Sequence, residues 1–262
     1  MDLGLKDRTV AVTGGSSGIG LAAVELLLDE GASVMTCGRD AGRLRDSLIG
    51  LKVDHPDRLD WMATDVRDAE QSQGFITNTI ERFGRLDGLV NNAGASRTST
   101  FATTTIQDWT DELGLKFFGI INPSRAAHPW LTKSDQAAIV NVNAVLARQP
   151  ESHLVATSAA RAGILNLSKS MATEFAVDRI RVNSVCVGLI DTGQWSRRYA
   201  AANVEETFDQ WATAIAADRK IPLARFGTAR EVAATIVFLL SARSSYTTGA
   251  ALEVAGGVNH YV

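Results

Sequence analysis

The 262-residue sequence lacks several features that mark membrane and nucleic-acid-binding proteins. Its longest uncharged apolar stretch, Val232 to Leu240, is far too short to span a bilayer, and the first residues, MDLGLKDR, contain no apolar signal-peptide core. There are 26 Lys and Arg against 29 Asp and Glu, with no basic run to follow a phosphate backbone. We therefore expect a cytoplasmic protein without nucleic-acid or membrane partners.

Cysteine is also scarce. The two cysteines, Cys37 and Cys186, lie in apolar, strand-like segments and have neither CxxC nor Cys/His ligand spacing. We interpret both as buried thiols rather than as redox or metal-binding groups, and we predict no metal site.

What the sequence does contain is a regular alternation of short apolar runs with longer amphipathic ones. This alternation is typical of an α/β protein with a parallel sheet and helices on both faces. We predict a single-domain, doubly wound Rossmann-type fold of three αβα layers over residues 1–262, with a substrate-lid insertion at about 188–217. The predicted helices include Asp68 to Phe83, Ile106 to Leu131, about Ser152 to Val177 and about Arg230 to Leu240.

A glycine-rich turn, TGGSSGIG, joins the first predicted strand to the first helix. Such a turn lets the backbone approach a pyrophosphate, which then meets the N-terminus of the helix. A glycine triplet can also be only a tight turn, but the flanking strand and helix favour a nucleotide site. The candidate cofactor contacts in this turn are Thr13, Gly14, Ser16, Ser17, Gly18, Ile19 and Gly20.

The end of the second strand, Cys37-Gly38-Arg39, favours NADP over NAD as the cofactor. NAD-binding proteins usually place an acidic residue there to hold the ribose 2′-hydroxyl. Gly38 leaves room for a 2′-phosphate, and Arg39 beside it is a planar, permanently charged partner. The alternative is that Arg39 is only a solvated residue before a helix cap at Asp40.

The TGxxxGxG spacing, the turn Asn91-Asn92-Ala93-Gly94 and the segment RFGTAREVAATIVFLLSARSSYTTGAALEVAGG resemble the short-chain dehydrogenase/reductase family. The resemblance runs over nearly the whole chain and implies a homotetramer or homodimer. It also implies cofactor contacts from Asp65 and Val66, from Asn91, Ala93 and Gly94, and from Gly188, Ile190 and Thr192. In this family the NNAG turn also stabilises the central sheet.

Matching the chain to the family shows that its usual Asn-Ser-Tyr-Lys catalytic tetrad is missing. By the flanking residues, Lys116 stands for Asn, Ala144 for Ser, Thr157 for Tyr and Arg161 for Lys. A threonine hydroxyl has no pKa near neutrality, and a guanidinium does not readily release a proton. Arg161 can still bond the ribose hydroxyls of the cofactor.

Four polar residues are the candidate catalytic groups: Lys116, His153, Thr157 and Arg161. The last three are spaced i, i+4 and i+8, which predicts one shared helical face. Arg161 is expected to lower the pKa of Lys116 by repulsion, aided by desolvation. One alternative is that the two cations, Lys116 and Arg161, bind a carboxylate or phosphate of the substrate. Two structural alternatives are that His153 is a solvated or capping residue and that Lys116 only fills the volume of an absent water chain.

Three hypotheses remain open from the sequence. The favoured one is an NADP-dependent oxidoreductase acting on a small carbonyl, alcohol or imine with a non-standard proton donor. The second is a non-catalytic NADP(H)-binding protein, either a sensor or an oligomeric partner. The third is an enzyme that holds NADP structurally while Lys116 or His153 moves a proton. The aromatic and basic residues of the predicted lid hint at a planar or anionic small-molecule substrate.

Overall fold

A computed structural model describes residues 2–261 of the chain. Nine strands are present in this range: β1 (Thr9–Thr13), β2 (Ser33–Gly38), β3 (Leu59–Ala63), β4 (Gly88–Asn91), β5 (Ala138–Ala144), β6 (Arg181–Val187), β7 (Ile190–Asp191), β8 (Gly227–Thr228) and β9 (Ala251–Val254). Eight α-helices accompany them: α1 (Gly18–Asp29), α2 (Ala41–Asp54), α3 (Ala69–Phe83), α4 (Ile106–Leu131), α5 (Val155–Glu174), α6 (Gly193–Ala202), α7 (Phe208–Asp218) and α8 (Ala229–Leu240).

Seven of the strands form one parallel sheet in the order β3-β2-β1-β4-β5-β6-β9. The chain order reverses between β1 and β4, so the loops after these two strands diverge at their carboxyl ends. Open parallel sheets bind ligands in the crevice at such a reversal. The predicted doubly wound sheet between two helical layers is therefore confirmed.

The two faces of the sheet are packed by separate apolar clusters. One contains Val12, Leu27 and Ile236, from β1, α1 and α8, and the other contains Phe75, Leu131 and Ile164, from α3, α4 and α5. Burying these side chains on both faces explains why the strands are apolar along their whole length rather than alternating.

The two cysteines are buried, free thiols, as the sequence predicted. Burial raises the pKa of Cys37 to about 12 and that of Cys186 to about 11, so both remain protonated at neutral pH. No cluster of three or more His, Cys, Asp or Glu side chains suited to a metal ion occurs within residues 2–261. Across the same described range, none of the helices has the length and apolar character required to cross a membrane.

After β6, residues 190–228 form a small unit outside the seven-stranded sheet. Strands β7 and β8 pair in parallel as a separate two-stranded sheet, and helices α6 and α7 lie between them in the chain. Trp195 and Trp211 from these helices pack with Val145 and Phe226, which ties the segment to the chain just after β5. Helices α6 and α7 therefore lie near the carboxyl end of β5.

Helix α5 begins later than the sequence predicted. It covers Val155–Glu174 rather than the expected range of about 152–177. His153 therefore lies before the helix, and the prediction that His153, Thr157 and Arg161 share one helical face is wrong. The physical reason is a turn closed by the hydrogen bond from Leu154 N–H to the Glu151 carbonyl, followed by a bridge between Leu154 and Ser99, so the helix begins only at Val155.

Candidate active site

The glycine turn after β1 is shaped for the close approach of a ligand. Gly14 has φ of 75°, and a Cβ atom there would lie 2.9 Å from the Cα of Ala93, so only glycine fits. Gly18 has φ of 55° and faces Thr192, whose Cγ2 would lie 3.3 Å from an added Cβ. The turn therefore touches both the segment after β4 and the segment after β6.

Helix α1 starts with free backbone donors. Ser17 occupies its N-cap position in an extended conformation, but its side chain accepts no capping hydrogen bond. By contrast, Asp40, Asp68, Thr105, Thr207 and Thr228 all cap their helices with side-chain oxygens. The first N–H groups of α1 thus remain available to an anion, and the helix dipole favours negative charge there.

Thr13 and the asparagines after β4 hold this turn in place rather than presenting side chains to a ligand. The hydroxyl of Thr13 accepts hydrogen bonds from the backbone N–H groups of Asn92 (2.9 Å) and Ala93 (3.0 Å). The Asn92 amide donates to the carbonyls of Thr13 and Gly14. Asn91 is buried and donates to Asn141 and Ser124. The side chains of Thr13 and Asn91 are therefore engaged within the protein, and contact of these two residues with the cofactor stays a prediction that only their backbone atoms can meet.

A second arginine joins Arg39 at the end of β2. Arg39 is exposed, and Arg43 on α2 donates from Nε to the Ser16 hydroxyl (3.3 Å), which brings a guanidinium to the glycine turn. Asp65 lies across from them, but Arg67 binds its carboxylate in bidentate fashion, and these hydrogen bonds lower the pKa of Asp65. Asp65 is thus not free to take the place of the acid absent at Gly38.

On the other side of the turn, the segment Gly188–Thr192 is fixed by the sheet. Gly188 donates its N–H to Val254, and a Cβ there would lie 2.9 Å from the Cα of Ala255. Ile190 is buried in β7. Thr192 is the N-cap residue of α6, but its hydroxyl caps nothing, so it remains free to bond a ligand beside Gly18.

Lys116 projects from α4 into the buried space next to this cleft. Its ammonium donates to the carbonyl of Ala95 and lies 3.3 Å from Oε1 of Glu112, one helical turn earlier. The side chains of Lys116 and Glu112 are only 3% and 5% exposed. Lys116 Nζ also lies 3.6 Å from the position of a Cβ on Gly94, so the ammonium adjoins the turn after β4.

Thr157 belongs to the same buried cluster, and its proton is already engaged. The hydroxyl donates to Oε1 of Glu112 at 2.7 Å and accepts from the backbone N–H of Arg97 at 3.3 Å. The residue is fully buried. Thr157 therefore orients Glu112 and has no free proton for a substrate, which argues against the predicted catalytic use of its hydroxyl.

Burial is the main reason that Lys116 is a weak base in this site. Desolvation lowers the pKa of Lys116 to about 8 from its ordinary 10.5, and repulsion from Arg161 acts in the same direction. Glu112 opposes both effects by favouring the ammonium form. The predicted direction is confirmed, although desolvation rather than Arg161 is the larger cause.

Arg161 is half-buried, and part of its guanidinium is unsatisfied. Its Nη1 donates to the carbonyl of Val142 (2.9 Å), whereas Nε is buried without a partner. Burial lowers the pKa of Arg161, but a guanidinium remains charged in proteins. A buried, unpaired N–H is costly, so this atom fits a site completed by a bound ligand.

His153 lies apart from this cluster. Its Nε2 contacts Oε2 of Glu151 at 3.1 Å, and its side chain is 43% exposed. Arg219 from the end of α7 binds the same carboxylate oxygen at 2.8 Å. The structure thus brings Lys116, Thr157 and Arg161 together and places His153 at the rim.

Sequence reasoning missed two residues of the site. Glu112 could have been found, because it precedes Lys116 by four residues on a helix whose bounds were predicted. Arg43 gave no such signal, because its approach to Ser16 depends on the path of its side chain. Taken together, the glycine turn, the uncapped α1, the two arginines and the free Thr192 hydroxyl fit a dinucleotide with a 2′-phosphate.

Comparison with known proteins agrees with this geometry. The family profile described as Enoyl-(Acyl carrier protein) reductase matches residues 14–259. The 3-oxoacyl-(acyl-carrier-protein) reductase of Thermotoga maritima is 32% identical over 254 residues, covering 97% of this chain and 98% of its own. The chain belongs to the short-chain dehydrogenase/reductase family and is an oxidoreductase of that type.

Two solved structures are more informative about the site. A short chain oxidoreductase from Pseudomonas aeruginosa PAO1 containing an atypical catalytic center, solved with NADPH bound, is 48% identical, with a TM-score of 0.94 and 99% of each chain covered. The L-sorbose reductase of Gluconobacter frateurii, solved with NADPH and L-sorbose, is 30% identical, with a TM-score of 0.94 over the full length of both chains. Both relatives therefore bind NADPH in the fold that this chain adopts.

Proposed function

We propose that this protein is an NADP(H)-dependent oxidoreductase that reduces a small carbonyl or imine, or oxidises the corresponding alcohol or amine, with Lys116 in place of the missing tyrosine. One observation carries the proposal: a buried lysine with a pKa of about 8 adjoins the dinucleotide cleft. A group whose pKa lies near the working pH is suited to give and take protons.

NADP is the cofactor that the described residues accommodate. The 2′-phosphate would lie beside Gly38, where Arg39 and Arg43 supply two guanidinium groups and no free carboxylate opposes them. The pyrophosphate would bind the N-terminus of α1, and Thr192 and Arg161 would hold the nicotinamide end. The NADPH bound to the two solved relatives supports this assignment.

When bound, NADPH supplies the hydride to the carbonyl carbon. The chain's own contribution is the proton for the carbonyl oxygen, which the ammonium of Lys116 holds between Ala95 and Glu112. Glu112 keeps Lys116 protonated, and Thr157 keeps Glu112 in position. Arg161 stays positive throughout and disfavours excess positive charge on Lys116, which eases release of its proton.

The segment of residues 188–217 is our candidate for the substrate lid within a single domain. Its helices α6 and α7 pack through Trp195 and Trp211 onto the chain after β5, next to the start of α5. A lid of this kind would exclude water from the space around Lys116.

The test is NADPH oxidation followed by absorbance with a panel of small ketones, aldehydes and imines. Turnover by the wild type, lowered about 10²- to 10⁴-fold in Lys116→Ala, is the expected result. Lys133→Ala, which removes an exposed lysine stacked on Trp130, is the matched control and should retain full activity. Equal activity in Lys116→Ala and the wild type would show that another group supplies the proton.

A second candidate function remains supported by one observation. Glu112 satisfies both Lys116 and Thr157, so the buried cluster is compatible with a purely structural role in a non-catalytic NADP(H)-binding protein. Tight NADPH binding with no turnover across the whole panel would favour this function over the first.

The cofactor assignment has its own measurement. Arg39→Gln together with Arg43→Gln should weaken NADPH binding by about tenfold or more and weaken NADH binding much less, because NADH lacks the 2′-phosphate that the two guanidinium groups would bind. Arg45→Gln is the control, since that exposed arginine pairs with Asp46 on the same helix.

A further inference from the structure

An unusual group of charges lies where α6 and α7 meet the segment before α5. We call it the rim cluster and define it as Glu151, His153, Arg198 and Arg219. One carboxylate oxygen, Oε2 of Glu151, lies within ion-pair distance of both His153 (3.1 Å) and Arg219 (2.8 Å), although neither contact has the geometry of a hydrogen bond. Arg219 also approaches His153 to within 3.5 Å. The carboxylate of Glu151 is thus shared between His153 and Arg219.

Arg198 is the least satisfied member of the rim cluster. Its guanidinium lies 4.7 Å from the ring centroid of Trp195, and no hydrogen bond or ion pair reaches it from elsewhere in residues 2–261. Burial lowers the pKa of Arg198, and Arg219 repels it while Glu151 attracts it. The rim cluster therefore carries two arginines against one carboxylate. The guanidinium of Arg198 is partly buried, and its N–H donors have no acceptor in the described residues.

The rim cluster is partly exposed and adjoins the candidate active site along the chain. Glu151 and His153 directly precede α5, whose first turn carries Thr157. The backbone N–H of Ser99 donates to the carbonyl of His153, and Arg97, two residues earlier, contacts Thr157. Residues 97–99, after β4, thus contact both the rim cluster and the buried cluster of Lys116, Glu112 and Thr157.

A half-buried aromatic group from α6 and α7 adjoins Arg198. Trp195 packs against Trp211 and Phe226, and Tyr199 packs against Phe208 and Trp211. A molecule bound at Arg198 would contact this aromatic group, because the guanidinium lies 4.7 Å from the ring centroid of Trp195. The guanidinium of Arg198, which has no ion-pair partner in the described residues, matches an oxygen anion, because guanidinium groups bind such anions with several charge-assisted hydrogen bonds.

We infer that the rim cluster is an anion subsite, with Arg198 and Arg219 binding a carboxylate or phosphate end group of the substrate while its carbonyl lies at Lys116. This inference rests on the proposed oxidoreductase function and gives it a substrate class: small oxo acids or oxo phosphates. The anionic group itself is unchanged in the reaction, which adds a hydride to the carbonyl carbon and a proton to its oxygen.

The experiment compares acids with uncharged analogues of the same shape. The probes are 2-oxobutanoate, 4-oxopentanoate and 5-oxohexanoate against their methyl esters, and dihydroxyacetone phosphate against dihydroxyacetone. Turnover is measured as kcat/KM with NADPH, and binding is measured by quenching of NADPH fluorescence in the NADPH-loaded protein. The variants are Arg198→Gln and Arg219→Gln. Arg197→Gln, an exposed neighbour on the same helix, is the control for net charge.

We expect at least one anionic probe to exceed its neutral partner by about tenfold or more in kcat/KM, as loss of a charge-assisted hydrogen bond implies. Arg198→Gln should raise KM for that probe by a similar factor and leave the neutral partner unchanged. Preference for the phosphate alone would identify phosphate as the anion. Equal use of charged and neutral probes, or equal losses in Arg197→Gln and Arg198→Gln, would overturn the inference.

The two proposals can fail separately. Turnover of neutral probes without preference for anions would leave the oxidoreductase function standing and remove the anion subsite. Conversely, anions that quench NADPH fluorescence in the wild type but not in Arg198→Gln, with no turnover of any probe, would support the subsite and contradict catalysis. No binding of any anionic probe together with no turnover of any probe, charged or neutral, would overturn both.

Discussion

At the scale of single residues, the chemistry of the cleft depends on how one carboxylate is shared. Glu112 accepts a hydrogen bond from Thr157 and pairs with Lys116, so the positions that replace the family's Asn and Tyr are linked through a residue that the family motif does not include. Arg161 lies near enough to lower the pKa of Lys116. The replacements therefore form one unit, and substituting any member changes the others.

The first prediction at this scale concerns pH. If the ammonium of Lys116 is the proton donor, carbonyl reduction should be constant below about pH 8 and fall as the pH rises through the pKa of Lys116, about 8. Alcohol oxidation needs the neutral amine, so its rate should rise over the same interval. Steady-state kcat/KM profiles in both directions measure this.

Glu112→Gln supplies the internal check on that profile. Removing the charge of Glu112 takes away the attraction that favours the ammonium form of Lys116, so the pKa of Lys116 should fall. The fall in kcat/KM for reduction should then begin at a lower pH than in the wild type. A profile that does not move would show that the titrating group is not Lys116.

The second prediction separates Thr157 from catalysis. Thr157→Val keeps the shape of the side chain but removes the donor to Glu112, leaving a buried carboxylate less satisfied. We expect a loss of about 1–3 kcal/mol in the free energy of unfolding and less than about a tenfold change in kcat. Thr157→Ser, which keeps the hydroxyl, is the control. A rate loss in Thr157→Val as large as that in Lys116→Ala would contradict this assignment.

At the scale of elements, the helix termini show what could be read from the sequence and what could not. Helix α4 has the predicted bounds, because Thr105 and Asp108 form a capping box that the sequence itself contains. Helix α5 has no such signal: Leu154 occupies its N-cap position, and contacts of Leu154 and Val155 with Ser99, more than fifty residues away, set its start. A boundary fixed by a distant segment cannot be deduced from local pattern.

The third prediction concerns the start of α1. Gly18→Ala forces a side chain into φ of 55° and toward Thr192, at the helix terminus that would receive the pyrophosphate. Left-handed backbone costs about 1–2 kcal/mol for an ordinary residue, and the free N–H groups would be displaced as well. We expect the Kd for NADPH to rise about tenfold or more in fluorescence titrations.

Gly84→Ala is a close control for this substitution. Gly84 ends α3 with φ of 76°, and nothing lies within 4 Å of an added Cβ. The Gly84→Ala substitution imposes similar backbone strain away from the cleft. The Tm of this variant should therefore fall, while its Kd for NADPH should stay at the wild-type value. Equal losses of affinity in the two variants would assign the effect to stability alone.

At the scale of the whole molecule, the order of the strands explains why the site lies where it does. Alternating strand and helix patterns predicted the parallel sheet, and the reversal of order between β1 and β4 brings Thr13 against Asn92 at one edge. The two-residue pairing of β7 with β8 was beyond prediction, since two residues have no periodicity. The rim cluster was equally hidden, because it joins residues 151, 153, 198 and 219 through tertiary packing.

The fourth prediction tests how the opposite edge of the sheet is held. Asp87 is buried just before β4 and accepts hydrogen bonds from Arg85 (2.7 Å), Ser134 (2.6 Å) and the N–H of Thr9 (2.9 Å). Burial alone would raise the pKa of Asp87, but these hydrogen bonds outweigh it and hold the pKa below its ordinary value. The folded protein therefore binds this proton less readily than the unfolded chain does.

Because the pKa of Asp87 is lower in the folded state, its contribution to stability is present above the ordinary pKa of about 3.9 and is lost as the pH falls below it. In urea unfolding at pH 7, Asp87→Asn should lose about 2–4 kcal/mol, and the difference from the wild type should shrink at pH 3. Asp135→Asn removes a carboxylate that is 72% exposed and pairs with Arg8, so solvent screening should make its cost much smaller than that of Asp87→Asn. Similar losses in the two variants at pH 7, or a difference that persists at pH 3, would show that the buried carboxylate does not anchor the start of β1 to β4.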